Sequence, residues 1–283
     1  AVNILCGLGH EAGAALSSHP DVNQIVFTGS VPTGIAIAKA AAENVVPCIL
    51  ELGGKSAAIV HDDADLDAFE DEIRWGIYFN AGQVCSAMSR VIVHADRHDE
   101  LLERAAKVAG SLSVGPGIER THDDGANMGS MVSEAQRDRA LGLVGQAQTE
   151  GARVVSGGHA LNRPGAFLEP TVLSVTPDME IASTEVFGPV LSVMSFKDEA
   201  EAIEIANGTE YGLVSGVFTA DLDRATRAAR KLRAGQVFVN EWYAGGVETP
   251  FGGYGKSGYG REKGREALWN YVQTKNVAMK LRG

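Results

Sequence analysis

The feature that most constrains the fold is a regular alternation of short, β-branched apolar runs with longer stretches of helical period. Strands are predicted at residues 25–28, 48–52, 57–60, 91–94, 190–196, 216–219 and 236–240. Helices are predicted at residues 34–42, 66–80, 99–109, 199–207 and 221–232. Such alternation is typical of βαβ units and a mostly parallel sheet, so the sequence predicts the α/β fold class.

Three stretches fall outside this pattern. Residues 115–127 are polar and residues 252–260 are rich in glycine, and both are predicted loops. After a short helix, polar and apolar residues alternate at 274–281, which predicts a half-exposed strand that could pair with a second subunit. Residues 2–7 predict a strand before a Gly-rich turn. Because the chain starts with Ala1 rather than Met, we expect a fragment of a longer protein.

Composition excludes several classes of protein. The net charge is -11 and the 25 Lys and Arg residues are scattered, which disfavours nucleic acid as a partner. No apolar run approaches the roughly 18 residues that span a bilayer, so no membrane partner is expected. The three cysteines form no C-x-x-C pair and the seven histidines show no metal-ligand spacing. We therefore expect a cytoplasmic protein without a metal. Its 283 residues favour two domains.

Two glycine-containing turns are candidate phosphate sites. Residues 7–13 lie between a predicted strand and a helix, but they are one residue too long for G-x-G-x-x-G, so an ordinary tight turn is favoured there. At residues 27–34 a strand ends in small residues and a helix begins at once. Its first amides could hold an anion and Ser30 could add a hydroxyl, although Ser30 as a plain N-cap is equally well supported.

Glu51 is the first candidate for catalysis. Residues 53–56 resemble the end of a nucleotide P-loop, yet Ile49 stands where that motif requires its first glycine. Glu51 itself ends an apolar strand, where desolvation would raise the pKa of its carboxyl into the range of a general base. The alternative is a buried Glu that pairs with a basic residue.

Cys85 is the second candidate. It follows a predicted helix and lies among the small residues Gly82, Ser86 and Ala87, which leave room for a substrate. Backbone amides near the helix end could stabilise a thiolate. Because a lone Cys is usually a small hydrophobic residue, the local sequence leaves its role open. The acidic run at residues 61–67 lacks the pattern of a calcium loop and predicts a solvated helix start.

Five motifs together resemble the aldehyde dehydrogenase superfamily of the non-acylating, NAD(P)-dependent type. The resemblance covers essentially the whole chain, and the order and spacing of the motifs match throughout. The motifs are Phe27-Thr28-Gly29-Ser30, Leu50-Glu51-Leu52-Gly53-Gly54-Lys55, Phe79-Asn80-Ala81-Gly82-Gln83-Val84-Cys85, Glu185-Val186-Phe187-Gly188-Pro189 and Pro250-Phe251-Gly252-Gly253.

The resemblance implies a fold and a reaction. Residues 1–51 would be the later part of a Rossmann-like NAD(P)-binding domain, 52–250 a complete α/β catalytic domain, and 251–283 a C-terminal segment with an oligomerisation strand at 271–282. A homodimer or homotetramer is implied. Cys85 would attack the aldehyde to give a thiohemiacetal, which passes hydride to NAD or NADP and becomes a thioester. Glu51 would activate the water that releases the carboxylic acid.

The same resemblance implies further site residues. Gly29 and Ser30 would lie near the cofactor pyrophosphate, Glu185 would hold the nicotinamide ribose and Phe187 would pack beside the nicotinamide. The implied cofactor-binding residues are Gly9, Gly29, Ser30, Thr33, Leu52, Gly53, Glu185 and Phe187. The implied substrate-pocket residues are Phe79, Val84, Ser86 and Phe251.

The chain departs from the family by lacking everything that precedes the Gly9 turn. That part would supply the residues that grip the adenosine ribose and an Asn side chain for the oxyanion hole, so an inactive fragment or non-catalytic subunit is an alternative. A coenzyme-A-acylating dehydrogenase or a thiol esterase is another, because both pass through a Cys acyl intermediate. Trp242 and Tyr243 are placed near the entrance and indicate a bulky aldehyde.

Overall fold

The computed structural model describes residues 2–119 and 127–281. Its α-helices are α1 (Ala14–Ser17), α2 (Val31–Glu43), α3 (Leu66–Tyr78), α4 (His98–Ser111), α5 (Glu134–Thr149), α6 (Glu180–Ser183), α7 (Glu199–Asn207) and α8 (Leu222–Lys231). Its strands are β1 (Ile25–Thr28), β2 (Cys48–Glu51), β3 (Ala57–Val60), β4 (Arg90–His94), β5 (Ser113–Val114), β6 (Asn127–Met128), β7 (Arg153–Ser156), β8 (Thr171–Ser174), β9 (Val190–Phe196), β10 (Val214–Phe218), β11 (Gln236–Val239) and β12 (Gly258–Tyr259).

The strands form three sheets, and the α/β class is confirmed. The largest sheet has the order β11-β10-β3-β4-β9-β8-β7 and is parallel except at the β7–β8 edge. A second sheet has the order β1-β2-β12, in which β1 and β2 run parallel and β12 is antiparallel. Strands β5 and β6 form a small parallel pair.

The large sheet is buried on both faces, and its central strand β3 is apolar at every position. In β3, Ala58 and Val60 pack with α3 and α4, whereas Ala57 and Ile59 face the cluster that contains α5, α7 and α8. Helices on both sides of a parallel sheet require this continuous apolar pattern. No described helix has the length and hydropathy needed to cross a bilayer.

One buried cation ties the centre of this sheet to α7. The Arg90 guanidinium is 3% exposed and donates from Nε to the Lys55 carbonyl at 2.8 Å. Its two terminal nitrogens donate to the carbonyls of Ile205 and Ala206 at 2.9 and 2.7 Å. Carbonyls at a helix C-terminus carry partial negative charge, so the guanidinium both satisfies and neutralises this end of α7.

Most predicted elements lie where the sequence placed them. The bounds of β1, β3, β9 and α7 agree with the predictions, and the other predicted helices and the strands from β2 to β11 differ by a few residues at their ends. Helix α5 and strands β7 and β8 were not predicted. Helix α5 escapes detection because the side chains it buries, Ala140, Val144 and Ala147, are small and give little apolar periodicity.

Two predictions for the ends and loops were wrong or incomplete. Residues 2–8 form no strand and are exposed. Residues 252–260 are not only a loop, because they contain a 3₁₀ turn at Gly255–Ser257 and strand β12. Within the described chain, residues 272–281 pair with no strand, and Val277 and Met279 are exposed; the predicted strand that pairs with a second subunit stays a prediction. Of the loop predicted at 115–127, residues 120–126 lie outside the described residues, as does residue 282 of the predicted oligomerisation strand.

Candidate active site

A cleft of about 840 Å³ lies where β1 and β2 end, beside the loop that carries Cys85. Both strands stop at the same edge of their sheet, because Thr28 is the register partner of Glu51. A crevice at the carboxyl ends of parallel strands is a usual place for a ligand. The cleft brings together Gly29, Ser30, Glu51, Leu52, Gly53, Val84, Cys85, Glu185 and Phe187.

Two predicted cofactor residues do not line this cleft. Gly9 begins a single helical turn, Gly9–Gly13, and is exposed. Thr33 lies in the first turn of α2, where its backbone N–H and its hydroxyl bond the Ser30 hydroxyl at 3.4 and 2.9 Å. The alternative reading of Ser30 as the N-cap of α2 is therefore confirmed. Because Ser30 also borders the cleft, this role does not exclude a contact with an anion.

Three predicted substrate residues also lie outside the cleft. Phe79 is half exposed beside a second cavity of about 490 Å³. Ser86 is buried, and its carbonyl accepts a hydrogen bond from Nε1 of Trp242 at 3.1 Å. The ring of Phe251 lies 5.3 Å from the Lys263 ammonium. Trp242 is only 5% exposed, so it packs in the core instead of facing an entrance.

Glu51 is a buried carboxylate without a partner. It is 2% exposed, and neither carboxylate oxygen has a hydrogen-bond partner among the described residues. Burial raises the pKa of Glu51 to about 8; the charge of Glu262 adds to this shift and Arg261 opposes it. The alternative prediction was a buried Glu51 that pairs with a basic residue, and no such hydrogen-bonded pair is present among the described residues. A carboxylate with a pKa near the working pH is suited to general base catalysis.

Cys85 follows a left-handed stretch of backbone. Asn80, Ala81 and Gly82 have φ values of 51°, 54° and 70°. The stretch is fixed by two hydrogen bonds of 3.0 Å, in which the side-chain amides of Asn80 and Gln83 each donate to the other residue's carbonyl. A side chain at Gly82 would clash with the Gly188 carbonyl. Strained backbone that is held by its surroundings is a frequent property of active sites.

The Cys85 thiol is held in its neutral form. Burial raises its pKa, the negative charges of Glu51 and Glu185 raise it further, and the backbone amides of Ser86 and Cys85 lower it. A thiol in this environment needs a base to become a nucleophile. Glu51 borders the same cleft and is near enough to influence its pKa, so the structure supplies both partners.

Glu185 is the second carboxylate of the cleft. Its Oε1 accepts a hydrogen bond from the Gly54 N–H at 2.9 Å. Gly53 is so close that a Cβ placed there would lie 2.2 Å from Oε2. Burial raises the pKa of Glu185, whereas the Gly54 N–H and the charges of Lys55 and Arg139 lower it.

The α/β fold agrees with what the motifs imply, Cys85, Glu51 and Glu185 border one cleft, and comparison with known proteins decides the family. The sequence profile of the aldehyde dehydrogenase family matches residues 1–277. The chain belongs to this family. The aminoaldehyde dehydrogenase 1 of Pisum sativum, described as peroxisomal, is 44% identical over 279 residues, which is 98% of this chain and 55% of that protein.

Solved aldehyde dehydrogenase structures superimpose closely. The NAD+ complex of an aldehyde dehydrogenase from Bacillus cereus has a TM-score of 0.93 and 41% identity, and covers 98% of this chain and 56% of that one. A betaine aldehyde dehydrogenase from Staphylococcus aureus, in complex with NAD+, has a TM-score of 0.90 and 39% identity, with 95% and 55% covered. The chain therefore spans about half the length of the relatives it matches.

This aldehyde dehydrogenase chain also contains site residues that the sequence reasoning missed. On α5, Gln136 Nε2 donates to the carbonyls of Val186 and Phe187, both at 3.0 Å. Arg139 donates to the carbonyls of Val186 and Glu185, both at 3.1 Å. These four bonds hold a turn in which Phe187 has a φ of 53°. The available signal was the three-residue spacing of Gln136 and Arg139, which places them on one helix face.

Ser257 of the Gly-rich segment was also missed. Its hydroxyl donates to the Gly53 carbonyl at 2.7 Å and accepts from the Gly212 N–H at 3.0 Å. Its carbonyl accepts from the Leu52 N–H at 3.0 Å. Because Leu52 and Gly53 directly follow Glu51, Ser257 fixes the backbone beside this candidate base. The segment at 252–260 thus holds one wall of the candidate site in place.

Proposed function

We propose that this chain performs the chemical steps of an NAD(P)-dependent oxidation of an aldehyde to a carboxylic acid. Cys85 is the nucleophile and Glu51 is the general base. The observation that carries this proposal is the joint presence, in one cleft, of a free thiol and a buried unpaired carboxylate with a pKa of about 8. Two such groups are what a reaction with alternating thiolate attack and water activation needs.

The residues act in the following order. Glu51 accepts the thiol proton, and the Cys85 thiolate attacks the aldehyde carbon to form a thiohemiacetal, whose oxyanion the Cys85 backbone amide can stabilise. The chemistry that NAD or NADP would supply when bound is that of an acceptor for the hydride of the aldehyde carbon. The Cys85 thioester then remains. Glu51 first releases the thiol proton to solvent and then takes a proton from water; the resulting hydroxide attacks the thioester, the C–S bond breaks, and the acid leaves while the Cys85 thiolate regains its proton from Glu51.

The cleft suits a nicotinamide nucleotide. Gly53 lies directly against the Glu185 carboxylate, so that a Cβ at this position would clash with it. The carboxylate would accept hydrogen bonds from ribose hydroxyls. Ser30 and the first turn of α2 would face the phosphates, and Phe187 would pack against the nicotinamide. The NAD+ complex of the B. cereus relative supports this assignment. We also propose that residues 1–51 belong to the cofactor domain and 52–250 to the catalytic domain.

The proposal is tested by following reduction of NAD and of NADP with purified protein and simple aldehydes. A Cys85→Ser variant should lose essentially all activity, whereas Cys48→Ser, which removes a half-buried thiol outside the cleft, should retain it. Full activity of Cys85→Ser would refute the assignment. Turnover that requires coenzyme A would favour the acylating alternative, because Glu51 predicts release by water.

The substrate is proposed from the names of the relatives. One is an aminoaldehyde dehydrogenase and another a betaine aldehyde dehydrogenase, so we propose an aldehyde that carries an amino or quaternary ammonium group. Comparison of kcat/KM for an aminoaldehyde and an aliphatic aldehyde of equal length tests this. A higher kcat/KM for the aliphatic aldehyde would contradict the proposed substrate class.

Assembly and location are proposed as well. The exposed apolar side chains at 277, 279 and 281 support a homodimer or homotetramer through the segment 271–282, which light scattering would measure. The cysteine content predicts the cytoplasm, but the pea relative is described as peroxisomal, so fractionation of cells must decide between the two compartments.

A further inference from the structure

Lys55 is a buried amine that neither the catalytic residues nor the proposed cofactor contacts use. Its side chain is 2% exposed, and Nζ has no hydrogen-bond partner among the described residues. The Ser56 hydroxyl beside it is also buried and unpaired. An isolated buried ammonium is costly unless another charge or a water compensates it.

A small cavity lies next to this amine. Lys55, Ser56, Arg90, Tyr211 and Arg233 line it, and its volume of about 10 Å³ is close to the minimum for one water molecule. No carboxylate lines the cavity, and the Arg90 guanidinium is already committed to three backbone carbonyls. A water can therefore satisfy the hydrogen bonds of Lys55, but its compensating charge must come from outside the cavity.

That charge is on Glu185. Lys55 directly follows Gly54, whose N–H donates to Glu185 Oε1, and Gly53 packs against the same carboxylate. Tyr211 lines both the small cavity and the large cleft, so the two spaces share a wall. The backbone that leads into Lys55 thus lies against the Glu185 carboxylate, whose charge acts on the Lys55 amine.

Each group changes the protonation of the other. Burial and the charge of Arg90 lower the pKa of Lys55 to about 7, and Glu185 opposes this shift. In return, Lys55 lowers the pKa of Glu185, together with the Gly54 N–H and Arg139, against the effect of burial.

We propose that Lys55 is a positioning residue that keeps Glu185 ionised, so that the carboxylate can accept hydrogen bonds from the cofactor. This inference rests on the role proposed above for Glu185. An ionised carboxyl is acceptor-only and offers both oxygens to hydroxyl groups, whereas a protonated one carries a hydrogen that would oppose them. The titratable or charged groups that face Lys55 are Glu185, Arg90, Arg233 and Tyr211.

The test is the affinity for NADH and NADPH, measured by fluorescence titration from pH 6 to pH 9. Lys55→Met keeps the volume of the side chain and removes its charge, and Lys55→Gln keeps a polar group without charge. Because an opposite charge lowers the pKa of a nearby carboxyl by about 1–3 units, we expect affinity to fall by up to roughly 10-fold at the acidic end of this range. The difference should shrink as the pH rises, because a higher pH favours the ionised form of Glu185 in every variant and the neutral form of Lys55 in the unmodified protein. Lys107→Met, at a side chain that is 77% exposed, is the control and should change nothing.

Two further results decide the matter. In a Glu185→Gln background, adding Lys55→Met should have no additional effect, because the group through which Lys55 acts is gone. A loss that is equal at every pH, or that persists in the Glu185→Gln background, would show a structural role and overturn the inference. If the unmodified protein binds the nucleotides and Lys55→Met binds them with the same affinity at every pH, this inference alone is overturned. Failure of the unmodified protein to bind either nucleotide would overturn the proposed function with it.

Discussion

Glu51→Gln should lower activity and remove a pH-dependent penalty on stability, both governed by the same pKa. The carboxyl has an ordinary pKa of 4.5 and is raised to about 8 in the folded chain. As a base it must be deprotonated, so activity of the unmodified protein should rise with pH towards a plateau above 8. Because a positioned general base contributes roughly 100 to 10,000-fold, we expect kcat of the variant to fall by about that factor.

The free energy of unfolding changes with pH in the opposite direction to the activity. Below pH 4.5 the carboxyl is protonated in both states and adds no penalty; between 4.5 and about 8 the unfolded chain releases the proton while the folded chain retains it. The free energy of unfolding therefore decreases with rising pH across this window. At about 1.4 kcal/mol per pKa unit the full shift corresponds to at most roughly 5 kcal/mol, and partial hydration of the cleft reduces this to about 2–4 kcal/mol.

Urea unfolding from pH 5 to pH 9 measures the stability effect, and steady-state kinetics over the same range measure the catalytic one. The two unfolding curves should separate as the pH rises, with Glu51→Gln relatively more stable at high pH. Comparing slopes removes any constant cost of the buried amide. Parallel curves, or a variant that retains the activity transition near pH 8, would refute the assignment of that pKa to Glu51.

Two further variants test the backbone around the site. Gly53→Ala should weaken NADH binding roughly 10-fold or more, because the new Cβ would clash with Glu185 Oε2 and displace the carboxylate. Gly110→Ala, at a position in open space on α4, is the control and should not weaken binding. Equal affinities of the two variants would contradict the role of Gly53 in cofactor binding. Ser257→Ala leaves the Gly53 carbonyl and the Gly212 N–H without their partner and should reduce the free energy of unfolding by about 2–4 kcal/mol. Urea titration at constant pH would show this, and a change below about 0.5 kcal/mol would contradict this role of Ser257.

Residue types and local patterns predicted much of the fold and the candidate base Glu51, whereas the local sequence left the role of Cys85 open. The apolar residues of β3 and β9, which include β-branched ones, favour a strand independently of what they pack against. The position of Glu51 at the end of an apolar strand indicates that its carboxyl is desolvated. Contacts that are distant in sequence could not be predicted locally. Gly54 meets Glu185 across 131 positions and Ser257 meets Gly53 across 204 positions. For the same reason the environment of Trp242, which bonds a carbonyl 156 positions away, was misjudged.

The order β1-β2-β12 has a practical consequence for handling the protein. Strand β2 is covered on both sides, but the outer edge of β1 pairs with no strand in the described part of the chain. A free strand edge is a template for adding another chain, and Val26 on this strand is 42% exposed. We expect aggregation of the purified protein to begin at this edge. A charged residue there, as in Val26→Lys, lies outside the cleft that contains Cys85 and should reduce such aggregation.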